Sequence, residues 1–252
     1  MIPLFNEITI ETIGNCNRAC PTCLRQSYPD RSAVIDRFTG FRWMPTWLYH
    51  RIIDQAEAMG YGGRINLQFF NEPLMDRRLP YFARYARGKG FGIVRCFSNA
   101  DILTEKRAAE LDGLLDEIDI ALYAPGAGGE PLIEGRAERE ALIRSWFSRT
   151  HVIFTGGDHV VTHFSPRPDL AARIEQARPM PCIYDAQERL IVDHNGRMLM
   201  CCDDIADEFD LGNLTESTLS DLWFSPRHVA LVQALATAGG RQVHPYCWSC
   251  PR

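Results

Sequence analysis

The cysteines constrain this chain more than any other feature. There are nine, at positions 16, 20, 23, 96, 182, 201, 202, 247 and 250 of 252 residues. An odd number, in a chain long enough to bury a core without covalent staples, argues against a disulfide framework. The opening MIPLFNEITI has neither the basic start nor the long apolar run of a signal peptide. The expectation is therefore a cytoplasmic protein in a reducing compartment, where clustered cysteines bind metal or carry out redox chemistry. Two groups stand out: C16-N-R-A-C20-P-T-C23, and Cys182, Cys201 and Cys202 with C247-W-S-C250.

Structural zinc asks for four ligands in a closed tetrahedron. The first group offers three thiolates, and the next histidine is distant, at His50. Three thiolates suit a four-iron cluster with one iron left open to bind and activate a small molecule. A zinc knuckle closed by a remote residue is the alternative the spacing leaves open. With 46% hydrophobic and 23% charged residues the chain is not disordered. No run approaches ~18 apolar residues, so no membrane partner is expected. A net charge of −5 argues against a nucleic-acid partner.

Over the first two-thirds, strand and helix signals alternate. Ile8, Ile10 and Ile13 mark a first strand; Ile65, Leu67 and Phe69 a second; Ile93–Phe97 a third; Glu117–Tyr123 a fourth. His151–Phe154 and Val160–Phe164 close the series. Helices are read over Leu48–Met59, ending at Gly60, over Leu79–Arg87, after an N-cap at Thr104, and over Gly135–Phe147. This predicts an α/β fold whose five or six parallel strands are too few to close an eight-stranded barrel. From about residue 170 the alternation stops. Asn195-Gly196 between L-I-V-D-H and R-M-L-M predicts a two-residue hairpin turn with positive φ at both positions. A helix follows from Ser225-Pro226. His159 and His163 are spaced H-x3-H, but in a strand four residues at ~3.3 Å each hold them apart, so neither is read as a metal ligand. Cys96, inside the third strand, reads as a buried free thiol.

Cys16, Cys20 and Cys23, directly after an apolar strand, resemble the CxxxCxxC motif of the radical S-adenosylmethionine enzymes. The resemblance implies a partial (β/α) TIM-like barrel and a [4Fe-4S] cluster whose open iron chelates S-adenosylmethionine. It also implies a 5′-deoxyadenosyl radical that abstracts a substrate hydrogen atom. N71-E72-P73-L74 resembles the family's GEP-type turn, with Asn71 in place of glycine. That turn, Asn71, Glu72 and Pro73, implies a site that holds the amino group of S-adenosylmethionine through backbone carbonyls, with Glu72 shaping the turn. Ser98 and Asn99 resemble its ribose-contacting segment. The residue before the third cysteine, often aromatic in the family, is Thr22 here.

Gly196-x4-Cys201, the G212-N213-L214 turn and the closing CxxC resemble the family's SPASM-type extensions in their short twitch form. The division implied is a core over 1–168 and a small hairpin-plus-helix domain over 169–252. Cys182, Cys201, Cys247 and Cys250 would hold a second [4Fe-4S] cluster, with Cys202 a spare thiol beside it. A zinc ribbon on the same four cysteines remains the competing reading. A cluster with every iron held by protein can accept an electron but has no open iron for substrate. The whole pattern resembles the radical S-adenosylmethionine dehydrogenases of aminocyclitol antibiotic pathways, the 2-deoxy-scyllo-inosamine dehydrogenase type. It implies oxidation of an alcohol to a ketone on a small polar substrate, with flavodoxin or ferredoxin as external one-electron reductant. Arg167 is the substrate contact implied, with Asp158 and His163 as candidate proton acceptors. A radical maturase acting on a precursor peptide and a non-enzymatic zinc-stabilised binding module are the rivals.

Overall fold

A computed structural model describes residues 2–21, 23–27, 42–126, 129–155, 181–182, 188–248 and 250. Among these, five strands alternate with helices in the first part of the chain. They are β1 (Glu7–Ile10), β2 (Arg64–Asn66), β3 (Ile93–Ser98), β4 (Glu117–Ala121) and β5 (His151–Thr155). The helices are α1 (Leu24–Ser27), α2 (Thr46–Ala58), α3 (Leu79–Gly88), α4 (Glu105–Leu111) and α5 (Arg136–Ser145). A hairpin of β6 (Arg189–Val192) and β7 (Met198–Leu199) follows, then α6 (Leu219–Trp223), α7 (Pro226–Leu235) and α8 (Pro245–Trp248).

The helices begin and end for local reasons. Thr104 caps α4 by accepting from Arg107 N–H, and Ser225 caps α7 by accepting from His228 N–H. After α2 the chain turns at Gly60, whose φ of 77° falls in the left-handed region. The apolar stripe of α2, Leu48, Ile52, Ile53 and Ala56, is wholly buried, as are Leu79, Phe82, Ala83 and Ala86 of α3.

The strands form one sheet in the order β5-β4-β3-β2-β1-β6-β7. All neighbours are parallel except the β6–β7 hairpin. The predicted α/β architecture is present, and its sixth parallel strand is β6: Ile8 pairs with Leu190 and Ile10 with Val192. The sheet therefore runs across the expected boundary at 168/169. The segment Val160–Phe164 lies outside the described residues. Trp223, fully buried in α6, ties the C-terminal part to the chain start by donating from Nε1 to Pro3 O at 3.0 Å.

The two faces of the sheet differ in kind. One carries Ile8, Ile10, Ile65, Val94, Cys96, Ile118, Ile120, Val152, Leu190 and Val192, all buried; Cys96 is the buried thiol expected. On the other, Thr9, Asn66, Arg95, Glu117 and His151 stand in register across five strands. Parallel sheets covered on both sides are apolar on both faces; this one is apolar on one face and polar on the other.

The hairpin turn differs from the expectation. Gly196 has φ 87°, but Asn195 does not share the positive φ of a two-residue turn. Gly196 N–H donates to Asp193 O at 2.9 Å, and Asp193 N–H to Arg197 O at 3.0 Å. The loop thus holds three residues, ending on a left-handed glycine. The cause is Asp193, whose Oδ1 accepts from Asn195 N–H and Arg197 N–H, both at 2.9 Å, and so draws the turn back on itself.

Candidate active site and cluster-binding regions

Function in parallel sheets gathers at the C-terminal ends of the strands, and here four loops meet there. The loop after β1 carries Cys16, Cys20 and Cys23, all half-buried thiols outside any disulfide. Burial pushes the Cys16 thiol up to about 11, and the Cys20 and Cys23 thiols also rise through burial. The thiols are close enough to act electrostatically on one another, Cys23 on Cys16 and Cys20 on Cys23. Tyr123, two residues beyond β4, feels all three. Gly129 sits so close that a Cβ there would lie 2.9 Å from Cys20 Cβ. Three neighbouring thiols at one strand end fit a cluster that keeps one iron open. Among the described residues no three His, Cys, Asp or Glu side chains converge on a single-ion position. A cluster, whose thiolates bind separate irons, does not require it.

The loops after β2 and β3 are joined by one carboxylate. Glu72, 2% exposed, accepts from Ser98 Oγ at 2.8 Å, Asn99 N–H at 2.8 Å and Leu74 N–H at 3.0 Å. Burial pushes its carboxyl up to about 7, against the downward pull of these donors. Glu72 N–H donates to Asn15 O at 2.8 Å, hanging this turn on the cysteine loop. Pro73 opens the short 3-10 turn Pro73–Met75. Asn99 Nδ2 reaches Asn17 Oδ1 at 2.9 Å and Cys16 Sγ at 3.8 Å. The structure thus brings Asn71, Glu72, Pro73, Ser98 and Asn99 together beside the first cysteine group. Asn71 Nδ2 is buried there without a hydrogen-bond partner.

Sequence reasoning missed four supporting residues. Arg18, inside the cysteine motif, grips Asp101 and lies over the Tyr123 ring with its guanidinium carbon 4.8 Å from the centroid. Arg25, just after Cys23, donates to Phe70 O at 3.2 Å. Glu11 accepts from Phe70 N–H at 3.2 Å and shares a 2.8 Å hydrogen bond with His194. A charged residue within a cysteine loop was a signal for Arg18; nothing local marked His194. Asp158, His163 and Arg167 lie outside the described residues, as does Thr22.

At the second group, Cys247 lies within electrostatic reach of Cys182, Cys250 and Asp204, and burial pushes its thiol up to about 12. Burial also raises the Cys201 thiol, with Cys202, Asp203 and Asp204 adding to the effect. Asp204 N–H donates to Cys201 O at 3.1 Å, while its carboxylate accepts from Met200 N–H at 3.0 Å and Glu208 N–H at 2.7 Å. Arg241, 3% exposed, fastens the segments together by donating to Pro181 O at 3.2 Å and Cys250 O at 3.4 Å. Cys182, Cys247 and Cys250 thus lie within reach of one another, and the Cys201 segment meets them through Asp204. A cavity of about 480 Å³ lined by Glu7, Arg64 and Arg189 lies at the opposite, N-terminal end of the strands, away from this chemistry.

Residues 182–251 match the SPASM iron-sulfur cluster-binding domain. The C-terminal part of the chain is therefore similar to SPASM-type iron-sulfur domains. Over 99% of its length the chain is 26% identical to the S-adenosyl-L-methionine-dependent 2-deoxy-scyllo-inosamine dehydrogenase of Niallia circulans, covering 94% of that protein. The crystal structure of BtrN in complex with AdoMet and 2-DOIA shares the fold, with TM-score 0.73 at 21% identity over 100% of this chain and 95% of that one. The fold is also similar to that of native anSMEcpe with bound AdoMet, with TM-score 0.58 at 12% identity over 97% of this chain and 88% of that chain.

Proposed function

We propose that this chain is a radical S-adenosylmethionine dehydrogenase that oxidises a secondary alcohol of a small, polar, aminocyclitol-like molecule to a ketone. Two [4Fe-4S] clusters are assigned: one on Cys16, Cys20 and Cys23, the other on Cys182, Cys201, Cys247 and Cys250. Residues 1–168 form the catalytic core and 169–252 the auxiliary domain. When bound, S-adenosylmethionine and the reduced first cluster supply a 5′-deoxyadenosyl radical, and the second cluster supplies an acceptor for the electron the substrate gives up.

The protein's part is to hold and orient. Glu72 fixes the turn of Asn71 and Pro73, whose backbone and side chain face the amino group of S-adenosylmethionine. Through the same carboxylate it sets Ser98 and Asn99 for the ribose. Arg167 contacts substrate, and Asp158 or His163 receives the hydroxyl proton as the ketone forms. Alcohol-to-ketone oxidation removes a hydrogen atom from the carbinol carbon, which the deoxyadenosyl radical would take up as 5′-deoxyadenosine, a proton from its oxygen, and one electron, which a cluster held by Cys182, Cys201, Cys247 and Cys250 would accept. An external flavodoxin or ferredoxin provides the initiating electron.

The observation that carries a polar substrate is the polar sheet face. Asn66 Oδ1, Arg95 Nε and Asp119 Oδ2 are all buried on it without a hydrogen-bond partner, a cost that a hydroxyl- or amine-bearing ligand relieves. The test is anaerobic turnover of reduced protein with S-adenosylmethionine and 2-deoxy-scyllo-inosamine. Equal amounts of 5′-deoxyadenosine and ketone are expected; deoxyadenosine with an isomerised, unoxidised product contradicts the dehydrogenase reading.

A further inference from the structure

His194 sits on the hairpin turn between β6 and β7, yet its side chain is fully buried against the opposite end of the sequence. Its Nδ1 lies 2.8 Å from Glu11 Oε2, and the Glu11 side chain is likewise fully buried. The second carboxylate oxygen, Oε1, accepts from Phe70 N–H at 3.2 Å. The carbonyl of the same residue is held by Arg25, two positions after Cys23. Asn71 follows directly. The imidazole also lies on Gly14, two positions before Cys16. A Cβ at Gly14 would come within 2.6 Å of its Cε1 and 2.8 Å of its Nε2. One side chain of the hairpin thus packs on the 11–14 segment that leads into Cys16 and, through Glu11, is linked to the Phe70 backbone.

We propose that His194 is a positioning residue for S-adenosylmethionine: through Glu11 it fixes the Phe70–Asn71 backbone, and through Gly14 it fixes the approach to Cys16. The proposal rests on the reading of Asn71 and Glu72 as contacts of the S-adenosylmethionine amino group. It makes the hairpin that leads to Cys201 a brace for the site at the other cysteine group as well as a route to its own. An aliphatic side chain at 194 keeps the packing but leaves Glu11 without this partner, so the Phe70–Asn71 backbone loosens.

The test compares His194→Leu, which removes the donor, with His194→Asn, whose amide nitrogen stands where Nδ1 stood. Each protein is reconstituted anaerobically. The readouts are iron per chain, the dissociation constant of S-adenosylmethionine from its effect on the EPR signal of the reduced protein, and hydrogen exchange of the 67–75 backbone in the unloaded protein. Loss of a hydrogen bond to a buried carboxylate predicts about tenfold weaker binding in His194→Leu, recovered to within about threefold in His194→Asn. Exchange at 67–75 speeds up in the leucine variant alone, with iron per chain unchanged in both. Wild-type affinity and exchange in His194→Leu would overturn the proposal. So would equal losses in both variants, or a loss of iron that tracks the loss of binding. If His194→Leu does not fold, Gly14→Ala takes its place: it displaces the imidazole and weakens binding, and wild-type affinity there counts against the brace. Failure of the wild-type protein itself to bind S-adenosylmethionine would defeat the reading of the site; the exchange comparison still decides whether the brace exists.

Discussion

Arg18 and Asp101 meet through two parallel hydrogen bonds, Nε to Oδ2 at 2.6 Å and Nη2 to Oδ1 at 2.7 Å. The Arg18 side chain is 4% exposed and that of Asp101 28%. This places a charge-assisted fork between Cys16 and Cys20 on one side and the loop after Ser98 and Asn99 on the other. Asp101 also accepts from Asn17 Nδ2 at 2.8 Å, so the cysteine loop hangs on it by two successive residues.

Removing Asp101 takes the carboxylate partner from the buried Arg18 guanidinium, which also donates to Ala124 O and lies over the Tyr123 ring. Because Asp101 is partly solvated, the loss falls below that of a fully buried pair, about 2–3 kcal/mol. Asp101→Ala should lower the midpoint of urea unfolding accordingly and reduce iron retained at the first group, while the iron of the second is kept.

Glu72 predicts a pH dependence. Its carboxyl is raised in the folded state to about 7, above an ordinary value of 4.5. The folded protein then binds the proton more tightly than the unfolded chain. Its contribution is fully present below pH 4.5 and is lost as pH rises through about 7, amounting to about 3 kcal/mol. Unfolding of the unloaded protein followed at pH 5 and pH 8 should show this decline in wild type and a smaller one in Glu72→Gln.

Asp112 works in the opposite sense. Burial alone would raise its carboxyl, but hydrogen bonds from Ser148 Oγ and from the N–H groups of Arg149, Thr150 and Ser148 hold it well below the usual carboxylate range. Its stabilisation is therefore present above the ordinary Asp value and lost as pH falls below it. Asp112→Ala strands three backbone donors before β5 and should cost about 2 kcal/mol in urea unfolding at pH 7. The difference from wild type should shrink in acid.

Substituting the C-terminal cysteines should separate radical formation from oxidation. Cys201→Ala together with Cys247→Ala should leave 5′-deoxyadenosine formation measurable while ketone falls at least tenfold. Ketone at the wild-type rate in that variant would mean the electron leaves by another route.

What was legible in the sequence was local. The CxxxCxxC loop, the cap at Thr104, the buried Cys96 and the strand alternation all depend on neighbours within a few residues. Asn71, Glu72, Ser98 and Asn99 were read as two separate turns; that one carboxylate, Glu72, joins them is a property of strand order. The pairing of β6 with β1 brings Leu190 beside Ile8, and no periodicity reports a partner that far along the chain. His194 and Glu11 became neighbours through that pairing. The turn at Asn195-Gly196 was misread because the deciding group is the side chain of Asp193, outside the dipeptide that marks such turns.

On the proposed reading the two cysteine groups hold two separate iron–sulfur clusters. Iron and acid-labile sulfide per chain after anaerobic reconstitution test it directly, in wild type and in the Cys16, Cys20 and Cys23→Ala triple variant. About eight irons per chain in wild type should fall to about four in the variant. Zinc at either group, or an iron content that the triple variant leaves unchanged, would contradict it.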